Sequence, residues 1–122
     1  AADALARHTS HTVRVVGPTP RGARREWLGT FDRCAGAAGL FAGRFAYAQR
    51  DQPWRMLWHA DNGFWHIGHR RHLGEATGYL IVADAAAAPE HIVGEWQVET
   101  GRGYVRAPRV RCLVGVAEGE EG

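Results

Sequence analysis

Trp54-Arg55-Met56-Leu57-Trp58-His59, then Ala60-Asp61-Asn62-Gly63, then Phe64-Trp65-His66-Ile67-Gly68 is the stretch whose reading decides the fold. Asn-Gly between two alternating, aromatic-rich runs is a strong hairpin signal, because both turn positions tolerate positive φ. Alternation places Trp54, Met56 and Trp58 on one face of the outgoing strand, with Arg55 and His59 on the other. On the returning strand Trp65 and Ile67 share a face, opposite Phe64 and His66. A second hairpin echoes the first: Glu95-Trp96-Gln97-Val98-Glu99, Thr100-Gly101-Arg102-Gly103, Tyr104-Val105. In both, a Trp stands five residues before a turn glycine, Gly63 or Gly101, so the pair reads as weak internal repetition.

Outward from these hairpins the same period of two recurs. Residues 11–17 read as a strand with Val13 and Val15 on one face, broken by Pro18-Thr19-Pro20-Arg21-Gly22. Extended structure resumes over 27–33, small residues fill 35–39, and 45–50 reads as another strand. The nearly all-apolar run 77–84 predicts a central strand covered on both faces. Residues 85–90 read as a loop or one helical turn, and 110–116 close the domain. Helix signals are few. The expected fold is a single antiparallel all-β domain, a β-sandwich or barrel of about eight or nine short strands. Its core is expected to gather Tyr47, Trp54, Trp58, Trp65 and Trp96. Residues 1–10 form an N-terminal arm, either a short helix or frayed; 11–116 form the domain; 117–122 form an acidic, flexible tail.

Length and composition bound the function. At 122 residues and 13.4 kDa the chain makes one domain, and 45% hydrophobic against 23% charged residues argues against disorder. Fifteen Arg, with no Lys, against thirteen acids leave a net charge of +2, so the basic pI says little about nucleic acid. All-Arg usage with many Ala and Gly reads as the codon bias of a GC-rich genome. No apolar run approaches the roughly 20 residues that cross a bilayer, and the start, AADALARHTS, has no signal-peptide core. The missing initiator Met reads as a processed or excised segment, which leaves an upstream targeting signal and the compartment open. Cys34 and Cys112 permit one disulfide without demanding it; Cys112, in an apolar run, reads as a buried reduced thiol.

Several further residues join these into a longer pattern: Leu28-Gly29-Thr30-Phe31, Gly43-Arg44-Phe45-Ala46-Tyr47, Leu57-Trp58, Asn62 through Gly68, Gly78-Tyr79, Pro89, Trp96, Gly103-Tyr104, Pro108 and Val110. This order resembles a Trp-rich all-β module common in the proteins of marine microalgae and other protists, and present in some animal extracellular proteins. The likeness spans about residues 12–114. It departs from the module at Ala42-Gly43-Arg44-Phe45, where Asn-Gly-Arg-Pro is usual, and at Tyr104, where Trp is usual. The resemblance implies a structural or interaction module and carries over no catalytic residue.

The chemistry-bearing residues point the same way. His66, His69 and His72 are spaced H-x2-H-x2-H with His59 across the hairpin, but in a strand and loop this spacing does not align imidazoles, so no metal is expected. Ser10 is the only serine and Cys34 lacks a local histidine, so no catalytic residue and no cofactor are assigned. Glycine pairs open no helix, so no phosphate cradle follows. Arginines cluster at Arg21/Arg24/Arg25 and at Arg70/Arg71, but the interspersed acids argue against a nucleic-acid surface. Phe64 and Tyr104, just past their turns, are expected to point outward, where aromatics anchor protein interfaces or stack on sugar rings. The expected function is a non-catalytic protein–protein interaction module or accessory subunit. The alternative is a carbohydrate-binding module using Phe64, Tyr104, Asp61, Asn62, Arg70 and Arg71.

Overall fold

In the computed structural model, which describes residues 2–35 and 40–115, the decisive hairpin is formed by β6 (Arg55–His59) and β7 (Phe64–His69). Its turn differs from the expected two-residue Asn-Gly turn. Gly63 N–H donates to Ala60 O (3.1 Å), Ala60 N–H donates to Phe64 O (3.0 Å), and Gly63 alone in the loop has positive φ (+87°). The loop is therefore three residues, Asp61 to Gly63, with the left-handed position at its end. That one extra residue changes which faces meet. A two-residue turn would set Trp58 opposite Ile67; the observed register sets Trp58 opposite His66 and Leu57 opposite Ile67. Trp58 and Trp65 thus lie on opposite faces of the sheet, which corrects the expectation of one shared aromatic core.

The remaining strands are β1 (Thr12–Val16), β2 (Gly29–Arg33), β3 (Leu40–Phe41), β4 (Arg44–Phe45), β5 (Tyr47–Gln49), β8 (Leu80–Ala83), β9 (Trp96–Glu99), β10 (Tyr104–Ala107) and β11 (Arg111–Val114), preceded by a short helix α1 (Ala2–Arg7). Nine strands form one antiparallel sheet in the order β10-β9-β8-β7-β6-β5-β2-β1-β11; β3 and β4 make a separate small hairpin. The two edge strands are consecutive in the chain, joined by Pro108-Arg109-Val110, so the sheet curls until its edges meet. Every pairing is antiparallel, and counting directions around the sheet makes β10 and β11 run the same way. They are two strands joined end to end through a tight turn at Pro108-Arg109, where Val110 N–H donates to Ala107 O (3.1 Å), and together they make one bent strand. Its first half pairs with β9 and its second half with β1, giving a barrel of eight staves rather than a two-layer sandwich.

The barrel interior is filled by Val13, Val15, Phe31, Tyr47, Leu57, Trp65, Ile67, Leu80, Val82, Trp96 and Val98, all fully buried. One end is stoppered by Trp27, which meets Trp54 edge-on (5.6 Å) and Tyr79 (4.7 Å). Arg55 stacks over Trp27 and Trp54, and Arg24 over Tyr79. The other end carries α1, whose Leu5 and Ala6 pack on the core while Arg33 donates to Ala6 O, Thr9 O and Thr9 Oγ1. The segment 1–10 is thereby joined to the barrel through residues 4–10, and the tail 117–122 lies outside the described residues.

A second, smaller cluster occupies the outer face: Ala46, Met56, Trp58 and Ala60, with Cys34, Phe41, Ala48 and Leu73 against it. The β3–β4 hairpin supplies Phe41, and Trp58 Nε1 donates to Glu75 O (3.0 Å). Strand β8 is flanked by β7 and β9 with Leu80 and Val82 inward, but Ile81 is half-buried and Ala83 exposed, so its outer face is not covered as expected. Cys34 and Cys112 are both free thiols, and burial pushes both up from the ordinary thiol pKa.

Candidate functional site

The bent strand is where the barrel shows its least protected surface. Alternation along Tyr104-Val105-Arg106-Ala107 points Val105 and Ala107 inward, opposite Val98 and Trp96. Beyond the bend the inward positions are Val110 and Cys112, an odd-to-even change of phase that Pro108-Arg109 absorbs. Val105 faces inward yet is 42% exposed, because no strand pairs with the outer edge of β10. Among the described residues, the exposed large hydrophobics are Val93, Tyr104, Val105, Leu113 and Val114; four of these five lie on β10 and β11.

Charge surrounds these apolar groups unevenly. Arg106 is bound by Glu95 (2.7 Å) and Arg24 by Glu99 (2.6 Å), each carboxylate held below its usual pKa by its guanidinium partner. Arg14, Arg109 and Arg111 are exposed. Arg109 and Arg111 border an open groove of about 560 Å³ floored by Val16, Gly17, Pro18 and Pro108. Gly17 is required there: its φ is +124°, and a Cβ would stand 2.1 Å from Arg109 O.

The sequence-derived binding residues do not form one site. Asp61, Asn62 and Phe64 lie at the β6–β7 turn, whereas Arg70 and Arg71 follow the far end of β7, about 20 Å away along the strand. Asn62 Oδ1 accepts from Phe64 N–H (3.1 Å) and from His66 Nε2 (3.2 Å), so it is engaged within the fold. Phe64 is half-buried and stacks on His66 (6.2 Å). Tyr104 is 43% exposed, donates to Gly78 O (2.6 Å), and borders a smaller groove of about 160 Å³ with His69, His72, Thr77 and Glu99. It shares that end of the barrel with Arg70 and Arg71, not with Phe64.

The histidines part company too. His66 is 1% exposed on the outer face, between Trp58 (5.9 Å) and Phe64, with Nδ1 buried and unpartnered. His59 faces inward beside Trp65, and its Nε2 lies 3.1 Å from Asp84 O. Asp84 is ionised against its own burial by N–H donors from Val93, Ala86 and Gly94. Among the described residues no three His, Cys, Asp or Glu side chains are placed to share a metal ion.

Burial pushes His66 down to about 4, from an ordinary 6.5, with His59 adding a smaller push. The unfolded chain takes up this proton as pH falls through about 6.5, and the folded chain only near about 4. Stability is therefore full above about 6.5 and falls as pH drops between the two values. The loss approaches about 3 kcal/mol. Urea denaturation at a series of pH values is expected to show this decline, and His66→Phe to remove most of it; an undiminished decline in the variant contradicts the assignment.

Compared with family models, curated proteins and solved structures, the chain matches none of them. No helix among the described residues is long and apolar enough to cross a membrane.

Proposed function

We propose that the chain is a non-catalytic protein–protein interaction module, or an accessory subunit of an assembly, that engages its partner through the bent strand β10–β11. The observation that carries this reading is the concentration of exposed Tyr104, Val105, Leu113 and Val114 on that one strand. Apolar side chains beside an unpaired strand edge are what a partner covers, and what a free monomer ordinarily avoids. Because the strand is held by β9 and β1 over a filled barrel, little ordering cost is added on association.

A photo-crosslinking residue at Val105 or Leu113 is expected to give discrete protein adducts in an extract of the source cells. The same residue at Ala83, exposed on another wall, is expected to give none. Equal labelling at Ala83, or no adduct from the bent strand, counts against the proposal. A second reading has one observation in its favour: the Tyr104 ring stands exposed over a groove bearing His72, Thr77 and Glu99, the mix of aromatic face and polar groups that a sugar ring uses. Glycan-array binding abolished by Tyr104→Ala supports that reading.

A further inference from the structure

Exposed apolar groups alone leave the partner's chemistry open, and the charges beside the bend narrow it. On the outer face of β11 and β1, Arg111 lies opposite Val16 and Arg14 opposite Leu113. The two arginines are diagonal neighbours, about 7–8 Å apart. Arg109 comes from the bend and borders the same groove as Arg111. Strands β1, β2, β9, β10 and β11 carry two acids, Asp32 and Glu99, and both are engaged: Asp32 by Arg50 and Thr12, Glu99 by Arg24. Neither Arg14 nor Arg111 has a carboxylate directly opposite it, and no acid on these five strands remains to pair with them.

The groove floor also limits how an occupant is held. Pro18 and Pro108 have no N–H to donate, so at those two positions an occupant meets side chains and carbonyl oxygens. Alternate side chains of an extended peptide repeat on one face every ~7 Å, close to the Arg111–Arg14 spacing. Guanidinium forks bind carboxylates in pairs of parallel hydrogen bonds. We infer that the groove at the bend, continued over the adjoining outer face of β1 and β11, receives an extended acidic peptide segment of a partner protein, with carboxylates on Arg109 and Arg111 in the groove and on Arg14 beyond it, and intervening apolar side chains against the prolines and Leu113. This rests on the interaction-module reading and deepens it.

The test is fluorescence anisotropy of the intact chain with a labelled peptide of alternating Glu and Val. A peptide of alternating Lys and Val, and an oligothymidylate of matched length, are titrated alongside it. The Glu peptide is expected to bind, to weaken as salt rises, and to lose about tenfold or more in affinity in Arg109→Glu/Arg111→Glu. The double variant should keep its melting temperature, since neither side chain packs in the core, and Arg70→Glu/Arg71→Glu should leave binding within about twofold. Equal binding by the Arg109/Arg111 variant, no binding of the Glu peptide, or tighter binding of the oligothymidylate overturns the inference. If crosslinks still form at Val105 and Leu113 while the Glu peptide fails, the acidic partner alone is overturned; if both fail, the interaction module falls with it.

Discussion

Gly17→Ala is expected to lower stability by at least about 3 kcal/mol, far more than the same change at another left-handed glycine. At Gly17 the new methyl would lie 2.1 Å from Arg109 O and 2.9 Å from Val110 Cα, both backbone atoms, and φ is +124°. No rotamer change relieves such a contact; the end of β1 must separate from the bend that closes the barrel. Gly63 offers the comparison, because its φ is +87° but nothing lies within 4 Å of the place its new methyl would occupy. Gly63→Ala is therefore expected to cost only the backbone strain, about 1–2 kcal/mol. Urea denaturation of both variants measures the difference. Equal losses contradict the close approach of bend and β1.

Trp65→Ala should be the most damaging single truncation, about 3–5 kcal/mol, enough to unfold a domain of this size or nearly so. The indole is fully buried opposite Val82, packs edge-on with His59 (5.3 Å), and donates from Nε1 to Ala86 O (3.1 Å). Truncation removes the side chain and leaves a void that the closed sheet cannot collapse to fill. Trp65→Phe separates the two contributions. It keeps most of the volume, and Ala86 O still accepts from Arg44 Nε (3.0 Å), so the carbonyl is not orphaned. The Phe variant is expected to lose about 1–2 kcal/mol. A larger loss would mean that the Ala86 hydrogen bond, not packing, holds the 84–88 loop in place.

How far the sequence can be read is clearest at these same residues. Alternation around Asn62-Gly63 marks both strands of the central hairpin and their facing sets. The choice between a two- and a three-residue loop at Asp61-Asn62-Gly63 is set by geometry that Asn-Gly alone does not express, and that choice sends Trp58 outward. Trp58 is nonetheless fully buried, because β3–β4 and Leu73 cover it, a long-range contact no local pattern announces. The closure of the barrel did leave a local trace. Apolar positions run Val105, Ala107, then Val110, Cys112, Val114, and the slip of one residue at Pro108 is the mark of a bend. In the sequence Arg24 stands in a basic cluster and Arg55 on the strand face opposite Trp54, yet both guanidinium groups sit over aromatic rings at the barrel end. Charge type was legible there; stacking partner was not. The proposed docking surface shares that fate: a spacing of two puts Arg109 and Arg111 on one side of an extended chain, but their nearness to Arg14 depends on β1–β11 pairing across nearly the whole chain.

That pairing also decides whether one strand carries the surface at all. If β10 and β11 formed an ordinary hairpin, β11 would pair with β10 instead of β1, and the four exposed apolar residues would not be strung along one strand between β9 and β1. The most direct measurement is a nuclear Overhauser spectrum of the uniformly labelled protein, read for Hα–Hα contacts between strands. The bent strand predicts contacts of Glu99 with Tyr104 and Gln97 with Arg106 on one side, and of Val15 with Cys112 and Val13 with Val114 on the other, in the same molecule. Contacts running directly between residues 104–107 and 111–114, with those to β1 missing, would contradict the closed barrel and the interaction surface proposed on it.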